Sequence, residues 1–178
     1  MWDAGSGREL RALIGHKNWI KSLAVSHRGQ VLASGSNDHT VKLWDVSSGR
    51  EMFTLRGHGN SVDVLVFSPD DRWLVSGSSD QSVRVWDATS GTEVRTLSAH
   101  PAAVTALSFS RDGKTLVSAS ADGVINLWDT ATWNLSRTLK KQTKKITTLS
   151  FSPDAEHRLS RFHFFRQQPG AALFRFSR

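Results

Sequence analysis

Trp2, Trp44, Trp86 and Trp128 are each followed by aspartate, and each stands 42 residues from the next. His16, His58 and His100 keep the same interval, directly after Gly15, Gly57 and Ala99. A constant period of this length marks a chain built from one repeated supersecondary unit. Such a unit cannot bury its apolar face alone, so neighbouring units must stack. The period therefore limits the fold before any single residue is considered.

One unit, residues 57–98, shows what repeats. Val62 to Phe67 is a run of β-branched and aromatic residues and predicts a buried strand. Ser68-Pro69-Asp70-Asp71 is a turn: proline pre-sets the bend, and aspartate bonds local backbone. Trp73, Leu74 and Val75 begin a second strand that ends in Ser76-Gly77-Ser78. Ser79-Asp80-Gln81 turns the chain again. Ser82 to Trp86 alternates polar and apolar residues as a third strand, and Glu93 to Leu97 forms an outer strand whose charges suit a solvated edge. Segments 15–56 and 99–140 repeat the pattern. Four short antiparallel strands per unit predict one blade of a β-propeller. The expected fold is all-β, a partial propeller of about three complete four-stranded blades plus flanking strands.

The paired Gly-His and Trp-Asp positions and the Leu-Ala-Ser-Gly-Ser, Leu-Val-Ser-Gly-Ser and Leu-Val-Ser-Ala-Ser runs at 32–36, 74–78 and 116–120 resemble the WD-repeat (β-transducin-type) family. The likeness covers residues 1 to about 160. It implies a hydrogen-bonded tetrad in each blade: His16, Ser34, Asp38 and Trp44; His58, Ser76, Asp80 and Trp86; His100, Ser118, Asp122 and Trp128. In each, aspartate orients histidine, histidine bonds serine, and serine reaches the indole N–H. Nucleophilic catalysis needs one Ser-His-Asp set in a cleft with an oxyanion site. Three copies at a fixed interval read as a building element, so no catalytic residue is expected. No cofactor is expected either. With no cysteine, and with the regularly spaced histidines assigned to different blades, no metal site is expected.

The formal net charge of +7 suggests a nucleic-acid partner until it is located. Residues 1–139 hold 14 basic and 14 acidic residues. The excess lies at Lys140, Lys141, Lys144 and Lys145 and in a 157–178 segment with five arginines and no acid. Nucleic acid is therefore the lesser expectation. Residues 1–20 lack a signal-peptide pattern, and no apolar run approaches membrane-spanning length. A cytoplasmic setting without membrane attachment is the expectation, and the absence of cysteine suits it.

The resemblance implies a binding face at the loops between blades and at the turn of the tetrad aspartate. Three residues after the histidine stand Trp19, Ser61, Ala103 and Lys145, and two further on stand Lys21, Asp63, Thr105 and Thr147. Just before the aspartate stand Asn37, Ser79 and Ala121. Specificity can be written on positions that vary over a constant frame. The candidate protein-binding residues are Trp19, Lys21, Asn37, His39, Ser61, Asp63, Lys144 and Lys145, with Trp19 the aromatic anchor.

The period fails at both ends. Met1-Trp2-Asp3 falls at the close of a third strand, followed by an outer strand at about 8–13, and a further strand is expected at about 145–151. Register is expected to run to Leu159-Ser160, but the next tetrad Trp slot holds Gly170. Residues 1–160 thus read as a WD-repeat segment, and 161–178 as a basic, aromatic tail of shifted reading frame or disorder. The expected function is a non-enzymatic interaction scaffold for other proteins, a fragment of a larger WD-repeat protein, self-associating to complete a ring of about seven or eight blades. The alternative is a sensor region of a larger signalling kinase or NTPase.

Overall fold

A computed structural model describes residues 1–98, 100–139 and 146–151, and the backbone of 162–164. All regular structure in the described residues is strand. The first sheet joins β1 (Ile20–Val25), β2 (Val31–Ser36), β3 (Val41–Asp45) and β4 (Glu51–Leu55) in that order. The second joins β5 (Val62–Phe67), β6 (Trp73–Ser78), β7 (Val83–Asp87) and β8 (Glu93–Leu97). The third joins β9 (Val104–Phe109), β10 (Thr115–Ser120), β11 (Ile125–Asp129) and β12 (Asn134–Leu139). β13 (Leu149–Phe151) and β14 (Phe162–Phe164) form a two-stranded sheet. Every neighbouring pair is antiparallel. The three four-stranded sheets are the three blades expected from the period.

The blades stack by a repeated joint. Ala33, Val41, Leu43 and Leu55 of blade 1 share a buried cluster with Val62, Leu65, Phe67, Leu74 and Trp86 of blade 2. Val75, Val83, Val85 and Leu97 of blade 2 do the same with Val104, Leu107, Phe109, Leu116 and Trp128 of blade 3. Leu74 faces one neighbour and Val75 the other, which explains why the second strands read as continuous apolar runs: both faces are covered. On the far side of blade 3, Ala106, Val117, Ala119, Ile125 and Leu127 pack with Ile146 and Leu149.

Some turns depart from glycine where the backbone is left-handed. Gly7, Gly49 and Gly91 have φ of 66°, 70° and 69°, and Trp133 stands in the same slot at 56°. A bulky residue there is strained. Trp133 offsets the strain by burying its ring edge-on to Trp73 of blade 2, with centroids 6.1 Å apart. Asp71, at φ 63° between the equivalent Gly29 and Gly113, likewise crosses a joint. Its carboxylate accepts the backbone N–H groups of His27 at 2.6 Å and Arg28 at 3.0 Å in blade 1.

Two expectations at the ends are corrected. The outer strand placed at about 8–13 is reduced to a single bridge between Trp2 and Glu9, with the Leu10 N–H donating to the Met1 carbonyl at 2.9 Å beside it. At the other end, β13 is shorter than 145–151, and residues 140–145 lie outside the described residues. Repetition of the Phe109–Leu116 pairing would set Phe151 opposite Arg158; it stands opposite Phe162. The pairing therefore slips by four residues, and Leu159-Ser160 lie outside the described residues.

Candidate functional site

Each tetrad is built from two strand residues and two residues of the connections beside them. In blade 1, His16 precedes β1, Ser34 lies on β2, Asp38 follows β2 and Trp44 lies on β3. The Trp44 indole donates to Ser34 Oγ at 2.8 Å, and that oxygen is 2.8 Å from His16 Nε2. His16 Nδ1 is 2.8 Å from Asp38 Oδ2. Blade 2 repeats this: Trp86 to Ser76 at 2.8 Å, Ser76 to His58 at 2.7 Å, His58 to Asp80 at 2.8 Å. An ionised carboxylate only accepts, so the proton order is set: indole to serine, serine to histidine, histidine to aspartate. Burial opposes the charged form of Asp80. Bonds from the Ser82 hydroxyl, from the Gly59 and Ser82 backbone and from His58 overcome it and hold the carboxyl well below its usual range. Asp38 is held low in the same way by Thr40, Lys17 and His16. Desolvation lowers His58 against the opposing pull of Asp80.

This order superficially matches a Ser-His-Asp nucleophile relay. Ser34, Ser76 and Ser118 are buried, and each oxygen is already engaged by an indole N–H, so none is open to a substrate. Their arrangement satisfies polar groups inside an apolar blade.

The third tetrad is incomplete, which corrects the expectation for Asp122. Trp128 donates to Ser118 at 2.8 Å, and Ser118 lies 2.6 Å from His100 Nε2. His100 Nδ1 is buried with no hydrogen-bond partner among the described residues. Asp122 instead accepts the Ser120 hydroxyl at 2.5 Å and the Val124 N–H at 3.4 Å. The reason lies in two substitutions. Lys17 and Gly59 donate backbone N–H bonds that hold the aspartates of blades 1 and 2 against histidine. Pro101 occupies that position in blade 3 and has no N–H. Thr40 and Ser82 donate hydroxyls to Asp38 and Asp80, whereas their counterpart is Val124. Desolvation lowers His100 to about 4 despite the field of Asp122. Both substitutions are visible in the sequence and would have signalled the break.

The candidate face residues of blades 1 and 2 come together. The Asn37 N–H donates to the Trp19 carbonyl at 2.9 Å. Asn37 Oδ1 lies 2.7 Å from Ser61 Oγ, which lies 2.8 Å from Asp63 Oδ1. Ser79, which sequence reasoning placed only in a variable slot, donates its hydroxyl to the other oxygen of Asp63. Asn37, Ser61, Asp63 and Ser79 thus form one polar strip across the joint between blades 1 and 2. Trp19 adjoins it and is 78% exposed. Lys21 is exposed on β1 at the slot of Asp63, and exposed His39 occupies a left-handed turn position, φ 68°. The strip ends at blade 3, where the slots hold Ala103 and Ala121, and Thr105 is turned to the Ile146 carbonyl at 2.6 Å. Lys144 and Lys145 lie outside the described residues. Among the described residues no cluster of three His, Asp or Glu converges as a metal site.

Stacked four-stranded blades tied by repeated His-Ser-Asp-Trp networks define a repeat protein of the propeller class. The chain belongs to the WD-repeat family: the model of the WD domain, G-beta repeat, matches residues 7–45, 49–87 and 91–129, more than half of the chain. The family's repeat is thus phased from an outer strand to the next Trp-Asp. Nuclear distribution protein PAC1 of Komagataella phaffii (strain GS115 / ATCC 20864) is 33% identical over 43 residues, 24% of this chain and only 9% of that protein's length. The crystal structure of the computationally designed Ika4 protein is similar with a TM-score of 0.79 and 32% identity, covering 96% of this chain and 99% of that one. The structure of U3-55K is similar with a TM-score of 0.79 and 26% identity, covering 88% of this chain and 49% of that one. WD-repeat domains commonly mediate protein–protein interactions and are generally non-catalytic.

Proposed function

We propose that this chain is a protein-interaction scaffold whose docking face is the loop rim of blades 1 and 2. The observation that carries the proposal is the exposed Trp19 beside the continuous Asn37–Ser61–Asp63–Ser79 strip. An exposed indole supplies large contact area with few rotatable bonds, and the strip supplies fixed donors and acceptors around it. Lys21 and His39 extend the polar rim, and the stacked blades beneath hold it rigid, which lowers the ordering cost of binding. Blade 3 contributes small or structurally engaged side chains at the same slots, so the face is confined to two blades.

Peptides selected from a displayed library on the immobilised chain test this. Trp19→Ala should weaken the selected binders by about 2 kcal/mol, roughly thirtyfold in Kd. Asp63→Ala should weaken them less, and Thr132→Ala, away from the rim, should leave them unchanged. Binders indifferent to Trp19, Asn37 and Asp63 would place the docking surface elsewhere.

A further inference from the structure

Each inner strand carries one residue that its neighbour does not match. The β1–β2 register passes from Ile20 to Ser22, the β5–β6 register from Val62 to Val64, and the β9–β10 register from Val104 to Ala106. Lys21, Asp63 and Thr105 are the extra residues of these three bulges. A bulge takes a side chain out of the strict alternation of a sheet and re-aims it. Thr105 spends its hydroxyl inside the scaffold, on the Ile146 carbonyl at 2.6 Å. Lys21 is exposed on the rim, and Asp63 is half-buried at the joint between blades 1 and 2.

Asp63 lacks the duty that the other aspartates perform. Each of the other described aspartates accepts at least one backbone N–H, and so shapes a turn, a joint or a tetrad. Asp63 accepts none among the described residues. Its bonds come from two hydroxyls, Ser61 Oγ at 2.8 Å to Oδ1 and Ser79 Oγ to Oδ2. Aspartate is disfavoured inside a strand, and no described cation forms an ion pair with this one. A carboxylate has about four acceptor positions, and the hydroxyls fill only part of them. The Ser61 proton is shared between Asp63 and Asn37 Oδ1, and the Ser79 proton goes to Asp63, so both are spent within the strip. The carboxylate is thus held in place with acceptor capacity to spare, and what it lacks is a cationic donor.

We propose that Asp63 receives an arginine side chain of the partner that docks on the rim of blades 1 and 2. The inference rests on that docking face and names the group it recognises. A guanidinium carries its donors in a rigid planar fork that matches a carboxylate, and such charge-assisted bonds are about twice as strong as neutral ones. The two serine hydroxyls fix the carboxylate beforehand, so little ordering is lost when the fork lands. The other bulges do not repeat the site. Thr105 is closed onto Ile146, and Lys21 carries the opposite charge. Lys21 also stands on the inner strand packed beside β5, where its charge opposes the approach of a cation.

The probe is the strongest peptide selected from a displayed library on the immobilised chain, synthesised with a fluorescent label and read by anisotropy. It should contain an arginine whose replacement by citrulline, which keeps the shape and removes the charge, weakens binding about tenfold. Asp63→Asn should cost the arginine peptide about tenfold and the citrulline peptide nothing, because both changes remove one interaction. Lys21→Glu, at an exposed position, should tighten the arginine peptide about threefold at low salt and less at high salt. The citrulline and Lys21→Glu arms leave Asp63 in place, so they decide the matter even where Asp63→Asn loosens the joint. Selected peptides without arginine, an arginine peptide that tolerates citrulline or Asp63→Asn, or a Lys21→Glu chain that binds it more weakly would each overturn the proposal. The docking face survives any of these results if Trp19→Ala still weakens the peptides. Peptides indifferent to Trp19, Asn37 and Asp63 alike, or no peptides at all, overturn both.

Discussion

Asp80→Ala should cost far more stability than Asp122→Ala, although the two aspartates occupy the same slot of adjacent blades. Asp80 accepts four bonds: from His58 Nδ1 at 2.8 Å, Gly59 N at 2.9 Å, Ser82 N at 2.8 Å and Ser82 Oγ at 2.7 Å. After truncation the exposed Gly59 and the partly exposed Ser82 recover bonds to water. His58 Nδ1, behind a side chain only 1% exposed, keeps just the longer contact to Ser82 Oγ at 3.2 Å. The loss combines charge-assisted bonds with a buried donor left on one long bond, about 3 kcal/mol in all. Asp122 makes no bond to His100, whose Nδ1 is already unpaired, so its truncation strands nothing further on the ring and should cost about 1 kcal/mol. Urea unfolding followed by tryptophan fluorescence, at one protein concentration, measures both. In a Pro101→Gly, Val124→Ser background, where the missing donors are restored, Asp122→Ala should become as costly as Asp80→Ala. Equal costs in the unmodified chain would refute the reasoning. Because the Asp80 carboxyl is held low, its contribution is present above about pH 4, the unfolded value, and is lost as pH falls through the folded value.

The buried His100 should make stability fall with acid. Its folded value of about 4 lies below the ordinary 6.5, so the unfolded chain binds the proton first as pH drops. Stability is then full above about pH 6.5 and declines by roughly 3 kcal/mol down to pH 4, where the loss levels off. His100→Gln should flatten that part of the urea-midpoint profile, and an unchanged slope would count against it. Trp133→Gly should destabilise by about 2 kcal/mol in thermal unfolding, since lost packing on Trp73 outweighs relief of the left-handed backbone. A more stable Trp133→Gly chain would show that the strain dominates.

Much of the candidate face was legible because it sits on a ruler. The period picked out Trp19, Asn37, Ser61 and Asp63 as variable positions on a constant frame, but a ruler gives register and not proximity. That Ser61 of blade 2 reaches Asn37 of blade 1, with Ser79 closing on Asp63, depends on how far one blade rotates from the next. Thr105 carried the same register and turned inward to Ile146 instead. In sequence Asp71 reads as a turn residue, and nothing local marks Trp133. Their partners, His27 and Trp73, lie in other blades, beyond any local pattern.

Local chemistry repeated 42 residues apart was enough to determine the three blades and their strand order, and the family resemblance it carries implied the tetrads. Those features depend on alternation, turn residues and short-range bonds, all of which are written along the chain. The break in the third tetrad was also written there, in Pro101 and Val124, since a missing donor needs no tertiary information. Only the tertiary structure decided which apolar faces are covered. Leu23, Leu65 and Leu107 read alike in sequence, yet one is 61% exposed and two are buried. Burial is a property of the neighbouring blade, and a residue's own surroundings in sequence carry no record of whether that neighbour is there.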